Sequence, residues 1–142
     1  MNEAGYLLDT NVVCEFMKGK KANPATLEWL RRHRDCRLYV SVISFGEIRR
    51  GVEALRLKNE DGAAKLEVWM ERLLLKFGPR ILNFTVQEAD AWGRIAPTEK
   101  LPEADMMIAA TALEHGLTMV TRNAVDFVRS GAVVINPWEH VV

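Results

Sequence analysis

Tyr6-Leu7-Leu8-Asp9-Thr10-Asn11-Val12-Val13 changes its period partway along. The first three side chains make a short apolar run that stops at an acid, which reads as a brief buried strand. Val12, Val13, Phe16 and Met17 then recur at helical spacing, with Thr10 or Asn11 available to cap that helix. The same order returns outward from here. Leu38 to Val42 reads as a strand, followed by a helix from about Ser44 to Leu57 with Phe45, Ile48, Val52 and Leu55 as its stripe. Between the two strands, Asn23-Pro24 opens a helix whose buried side carries Leu27, Trp29 and Leu30. Further on, Leu66, Trp69, Met70, Leu73 and Phe77 mark a helix closed by Gly78-Pro79, and Ile81 to Phe84 a third strand. Val86, Ala89, Trp92 and Ala96 form the stripe of the next helix. A loop around Lys100-Leu101-Pro102 leads to a helix that runs through His115 and ends at Gly116. Thr118 to Val120 and Val133 to Ile135 are the last strands. Short, nearly continuous apolar strands separated by helices predict an α/β fold, with a mostly parallel sheet covered on both faces. Such sheets bind ligands at the carboxyl ends of their strands.

The 142 residues fit one domain spanning 1–142. Hydrophobic residues make up 49% and charged residues 27%, and 19 basic side chains balance 19 acidic ones. That balance excludes an overall basic coat or a charged tail, but not local clusters. No apolar run is long enough to span a bilayer. The N-terminus lacks the basic, apolar and small-residue regions of a signal peptide. Cys14 and Cys36 form neither a C-x-x-C pair nor a zinc pattern, so a reducing cytoplasm is expected. Asn83-Phe84-Thr85 matches a glycosylation triplet, which means little without secretion.

The acids stand at the predicted strand ends. Asp9 follows the first strand, Glu47 lies on the helix after the second, and Asp105 lies in the first turn of the helix through His115. Asn123 and Asp126 follow the fourth strand. Carboxylates gathered at one edge repel, and a hard divalent cation relieves the repulsion; Mg²⁺ and Mn²⁺ prefer such oxygen ligands. No histidine or cysteine cluster competes. An acidic pocket of this kind points to phosphoryl transfer or phosphodiester hydrolysis. Each acid also has a plainer reading. Asp9-Thr10-Asn11 is capping chemistry, Pro102-Glu103-x-Asp105 an ordinary acidic helix start, Asn123-x-x-Asp126 a capping arrangement, and Glu47 a partner for nearby arginines.

Taken in order, five pieces of the chain resemble the PIN-domain ribonucleases, and within them the VapC toxins of the FitB-like group. They are Leu7-Leu8-Asp9-Thr10-Asn11, Ser41 to Gly51 with Glu47, and Leu101-Pro102 with Asp105 and Ile108 to Ala112. The fourth is Val120-Thr121-Arg122-Asn123 with Asp126-Phe127, and the last Ile135-Asn136-Pro137-Trp138. The resemblance implies a PIN domain, an α/β/α sandwich, and an endoribonuclease dependent on Mg²⁺ or Mn²⁺ that leaves a 5′-phosphate and a 3′-hydroxyl. It implies that Asp9 and Asp105 are the central metal ligands, that Glu47 is a further ligand directly or through water, and that Asp126 completes the pocket. Thr121, Asn123 and Asn11 match the supporting polar residues. It further implies a cognate VapB- or FitA-like antitoxin, a toxin homodimer, and hetero-oligomers that bind operator DNA through the antitoxin. The Glu47 helix and its neighbour across residues 62–77 are the candidate antitoxin surface, and burial of their stripe within the monomer is the alternative.

Residues 18–37 carry Lys18, Lys20, Lys21, Arg31, Arg32, Arg34 and Arg37 against Glu28 and Asp35, a local excess of five positive charges. The segment suits RNA phosphates, or equally a solvated helix face with a few charge pairs. Arg49 and Arg50 on the Glu47 helix suit RNA as well, or pairing with Glu53. Trp29, Trp69 and Trp92 read as core rather than base-stacking residues, Met106 and Met107 as packing. His33, His115 and His140 share no motif. Two other functions fit the same fold: an RNA-processing nuclease without a toxin role, and a non-catalytic PIN-like binding module. A haloacid-dehalogenase-like phosphotransferase is disfavoured because no second aspartate follows Asp9 two residues on, and nucleotide hydrolysis has no local support because no Walker-type loop is present.

Overall fold

The computed structural model describes residues 5–95 and 101–140. Ala96 and Lys100 of the sequence reading lie outside them. Five strands, β1 (Tyr6–Leu8), β2 (Leu38–Ser41), β3 (Ile81–Leu82), β4 (Thr118–Val120) and β5 (Val134–Ile135), form one sheet in the order β3-β2-β1-β4-β5. Every pairing is parallel. The helices are α1 (Thr10–Met17), α2 (Pro24–Arg32), α3 (Val42–Arg56), α4 (Glu60–Phe77), α5 (Val86–Arg94), α6 (Glu103–His115) and the short α7 (Ala124–Phe127). Among the described residues no helix is long and apolar enough to cross a membrane.

Strand alternation divides the core. Leu8 and Val40 point into one cluster with Val12, Val13, Trp29, Leu30, Ile48, Val52, Met70, Leu73 and Phe77, which come from α1 to α4. Leu7 points the other way, into a cluster with Ile108, Ala109, Ala112, Met119 and Phe127 under α6 and α7. The sandwich therefore follows from adjacent leucines facing opposite sides. Connections leave β1 toward β2 and leave β4 toward β5, so the sheet's switch point lies between β1 and β4. The carboxyl ends of those two strands border the crevice where such folds hold their ligands.

Several expected boundaries move. The cap of α1 is Asp9, whose carboxylate accepts from the Thr10 amide at 2.8 Å, rather than Thr10 or Asn11. β2 stops at Ser41 because the Ser41 hydroxyl caps α3 through the Ile43 amide, so that helix starts at Val42 and not Ser44. β3 stops at Leu82, short of Phe84, and β5 begins at Val134. On α2 the buried positions are Thr26, Trp29 and Leu30, while Leu27 faces outward, 37% exposed.

The largest difference lies on α5. Val86 is 80% exposed, Trp92 37%, and Ala89 is exposed too, so the expected buried stripe faces solvent. Glu88 faces inward instead, followed by Ala91 and Ile95. Its carboxylate accepts from the Thr85 amide at 2.6 Å, from the Thr85 hydroxyl, and from His115 Nε2 at 2.7 Å. A capping box with a histidine added rotates this helix away from its apolar pattern.

Candidate active site

Asp9 sits where β1 ends and α1 begins, 2% exposed. Its backbone amide still belongs to the sheet, donating to Val120 of β4 at 2.9 Å. Its carboxylate is already committed to the first turn of α1. Strand pairing and helix capping thus fix both ends of one residue. On the β4 side the Thr121 hydroxyl donates to Asp9 Oδ2 at 2.8 Å and accepts from the Asn123 amide at 3.0 Å. Asn11 Nδ2 reaches both Asp9 Oδ2 and Thr121 Oγ1 at 3.4 Å, while Asn11 Oδ1 accepts from the Arg122 amide at 3.2 Å. Asn11 and Thr121 thus bond Asp9 directly, and the Asn123 amide joins them through the Thr121 hydroxyl. The Asn123 side chain caps nothing on α7.

Glu47 is fixed from the other side. The Thr10 hydroxyl donates to Glu47 Oε1 at 2.6 Å. Its single proton is used there, so the fully buried Ser44 hydroxyl, 2.8 Å away, donates to Thr10. Ser44 and Glu47 are three residues apart on α3 and share a helix face. Thr10 and Ser44 were not singled out from sequence. The signal was present, since a hydroxyl beside the first aspartate and another one turn before the glutamate is what two acids on separate elements need to be tied together.

Burial pushes the Asp9 carboxyl up from 3.8 to about 6; the bonds from Thr121 and the Thr10 amide act against this, and the charges of Asp105 and Glu47 add to it. Asp105, in the first turn of α6, is also raised, by burial first and then by Glu47 and Asp126. The four acids from four segments therefore feel one another. Among the described residues no three histidine, cysteine, aspartate or glutamate side chains close into a ready-made cage. The arrangement is instead an open edge of carboxylates around one buried member. What raises both acids is burial and neighbouring carboxylates, and none of the four acids forms an ion pair among the described residues. An oxygen-only donor set carrying uncompensated negative charge fits a hard divalent cation.

The proposed RNA contacts are mostly engaged elsewhere. Lys18 pairs with Glu15 at 2.5 Å, and Arg31 and Arg32 both pair with Glu28 at 2.6 and 2.7 Å. Arg49 pairs with Glu53 at 3.0 Å and Glu67 at 2.8 Å. Lys20, Lys21 and Arg50 have no ion pair among the described residues. Trp29 is buried, as expected, but Trp92 is not. Trp138 lies under the Arg122 guanidinium, 5.4 Å from ring centre to cation. An apolar groove of about 250 Å³ runs between α1, α3 and α4, lined by Cys14, Ile48, Gly51, Leu55, Leu66 and Trp69 and ending on Thr10 and Glu47.

Residues 6–130 match the PIN domain family. The chain is 34% identical to toxin FitB of Neisseria gonorrhoeae, over 93% of this chain and 97% of the relative. It is 30% identical to the VapC ribonuclease Y4jK of Sinorhizobium fredii, over 94% and 97%. A solved structure of FitAB bound to a DNA fragment superposes with a TM-score of 0.81 at 33% identity, covering 96% of this chain and 98% of that one.

Proposed function

We propose, for a chain that belongs to the PIN domain family, that it is a divalent-metal-dependent endoribonuclease and the toxin of a toxin–antitoxin pair. One observation carries the reading. A buried carboxylate, Asp9, is held by hydroxyl and amide donors beside the acids Asp105 and Glu47, with no ion pair among the described residues. A hard divalent cation relieves the repulsion among such acids and takes their oxygens as ligands. The resemblance to a VapC ribonuclease and to toxin FitB supports RNA as substrate.

In this reading Asp9 and Asp105 hold Mg²⁺ or Mn²⁺, with Glu47 and Asp126 direct or through water. The ion supplies the charge neutralisation and water activation that phosphodiester hydrolysis requires. The remaining work is positional. Thr121 and the Thr10 amide set the direction of the Asp9 oxygens, and Asn11 ties that carboxylate to the loop after β4. Thr10 holds Glu47 toward the same edge.

Regulation falls to a partner. The antitoxin segment lies along the α1–α3–α4 groove, apolar residues against Leu55, Leu66 and Trp69, with a basic residue reaching Glu47 and the acids beyond. The toxin pairs with itself, and the complex reaches operator DNA through the antitoxin; likeness to FitAB on DNA supports this assembly. The test of the nuclease reading is RNA cleavage by the purified, partner-free chain with Mg²⁺. Cleavage is expected to stop on chelation and in Asp9→Asn. Activity that survives both would overturn the reading.

A further inference from the structure

We propose that Arg50 binds a backbone phosphate of the RNA strand adjacent to the one being cut, in the cleft between α3 and α6; the inference rests on the nuclease reading. Of the basic residues that the sequence offers for RNA, Lys18, Arg31, Arg32 and Arg49 are held by Glu15, Glu28, Glu53 and Glu67. Lys20 and Lys21 lie past the far end of α1, whose first residue marks the carboxyl edge, so a helix of eight residues puts them roughly 12 Å or more from the acids. Arg50 differs in both respects. It has no ion pair among the described residues, and it stands three residues after Glu47, on the same face of α3 one turn along.

The cleft it lines measures about 600 Å³, with Gly46, Glu47 and Arg50 on one wall and Glu103, Ala104 and Met107 of α6 on the other. Glu47 belongs both to this cleft and to the acidic edge, and Ala104 directly precedes Asp105, so the cleft opens onto the metal-binding acids. Gly46 adds a second observation. A Cβ there would meet nothing within 4 Å, so packing within the chain does not require a glycine in the middle of α3. Glycine is a poor helix residue, and its effect here is to lower the cleft floor to backbone. Glu47 and Glu103, one on each wall, both repel a phosphate, so Arg50 is the lining side chain that attracts one. A guanidinium fork matches a phosphate's paired oxygens.

The experiment compares Arg50→Ala, Arg50→Lys and Arg49→Ala, each checked for native circular dichroism. Steady-state RNA cleavage is measured first. Anisotropy of a fluorescein-labelled single-stranded RNA follows, in an Asp9→Asn background that leaves it uncut. Arg50→Ala is expected to raise KM and Kd about tenfold with little change in kcat. It should also flatten the dependence of log K on log salt by about one unit. Arg50→Lys should recover part of the binding, and Arg49→Ala should leave it near wild type. A loss confined to kcat, an unchanged Kd in Arg50→Ala, or an equal loss in Arg49→Ala would each overturn the assignment. A wild-type chain that neither binds nor cuts RNA would overturn the nuclease reading itself, and this inference with it.

Discussion

Thr10 joins the two halves of the site through its amide and its hydroxyl. Its amide caps onto Asp9 and its hydroxyl bonds Glu47, a residue 37 positions away in sequence. Thr10→Val keeps shape and β-branching but removes the hydroxyl, leaving Glu47 unheld and the buried Ser44 hydroxyl without its acceptor. The expected result is a fall in kcat for RNA cleavage of about tenfold, the worth of one such bond. Thr10→Ser should restore most of it, and an unchanged kcat in Thr10→Val would show that Glu47 needs no holding. Asp9 was legible in the sequence because it ends an apolar run, and Glu47 because it flanks the apolar stripe of the helix after the second strand. The Thr10–Ser44–Glu47 link was not, because it depends on how α1 and α3 lie against each other, and residue spacing within one helix carries no information about that. Asp126 was legible as an acid, and its effect on Asp105 became visible only when β4 and α6 were placed side by side.

Among the elements, α5 is the one whose apolar period misled. Its Val86, Ala89 and Trp92 repeat at helical spacing yet face outward, because Glu88 is drawn inward by Thr85 and by His115 at the end of α6. A polar contact thus decided the orientation of a helix, and hydrophobic period alone cannot register such a contact. The same contact ties α5 to the helix that carries Asp105. Burial raises the Glu88 carboxyl, but the donors from Thr85 and His115 outweigh it and hold the group at about 2, below its ordinary 4.5. A depressed acid stabilises the fold above its unfolded value and loses that contribution as pH falls from about 4.5 toward 2. Glu88→Gln is therefore expected to lower Tm near neutral pH and to match wild type near the acid end of that window. A Tm difference that stays constant across the range would mean that Glu88 acts through packing and not through its charge. By contrast, α1, α3, α4 and α6 bury the core residues of their stripes, even though α1 also buries Glu15 and α3 Ser44.

For the molecule as a whole, equal numbers of acids and bases conceal an uneven distribution. Within residues 18–37 Glu28, already counted in the net charge, takes two arginines, and Glu15, just outside that window, takes Lys18 and lowers the basic excess by one. Among the described residues the acids of the edge have no such ion pair. This has a thermodynamic consequence. Asp9 ionises near 3.8 when unfolded and near 6 when folded, so between those values the native state holds the proton more tightly. Stability of the metal-free chain therefore falls as pH rises through this window and stays reduced above it, by on the order of 3 kcal/mol. At this chain length that corresponds to roughly 10 °C in Tm. Asp105, raised in the same direction, adds to the effect. Asp9→Asn removes the charge and keeps a good helix cap. In chelator it should melt above wild type at about pH 7.5 and level with it at about pH 3. Mg²⁺ or Mn²⁺ binds the ionised carboxylate and not the protonated one, so either ion should raise the wild-type Tm at about pH 7.5 and much less at about pH 5. Neither should raise the Tm of Asp9→Asn to a comparable extent. Thermal melts of both proteins, with metal and with chelator across that pH range, decide the matter. A metal-induced rise that is independent of pH, or equally large in Asp9→Asn, would place the ion away from Asp9 and leave the buried charge without the partner assigned to it.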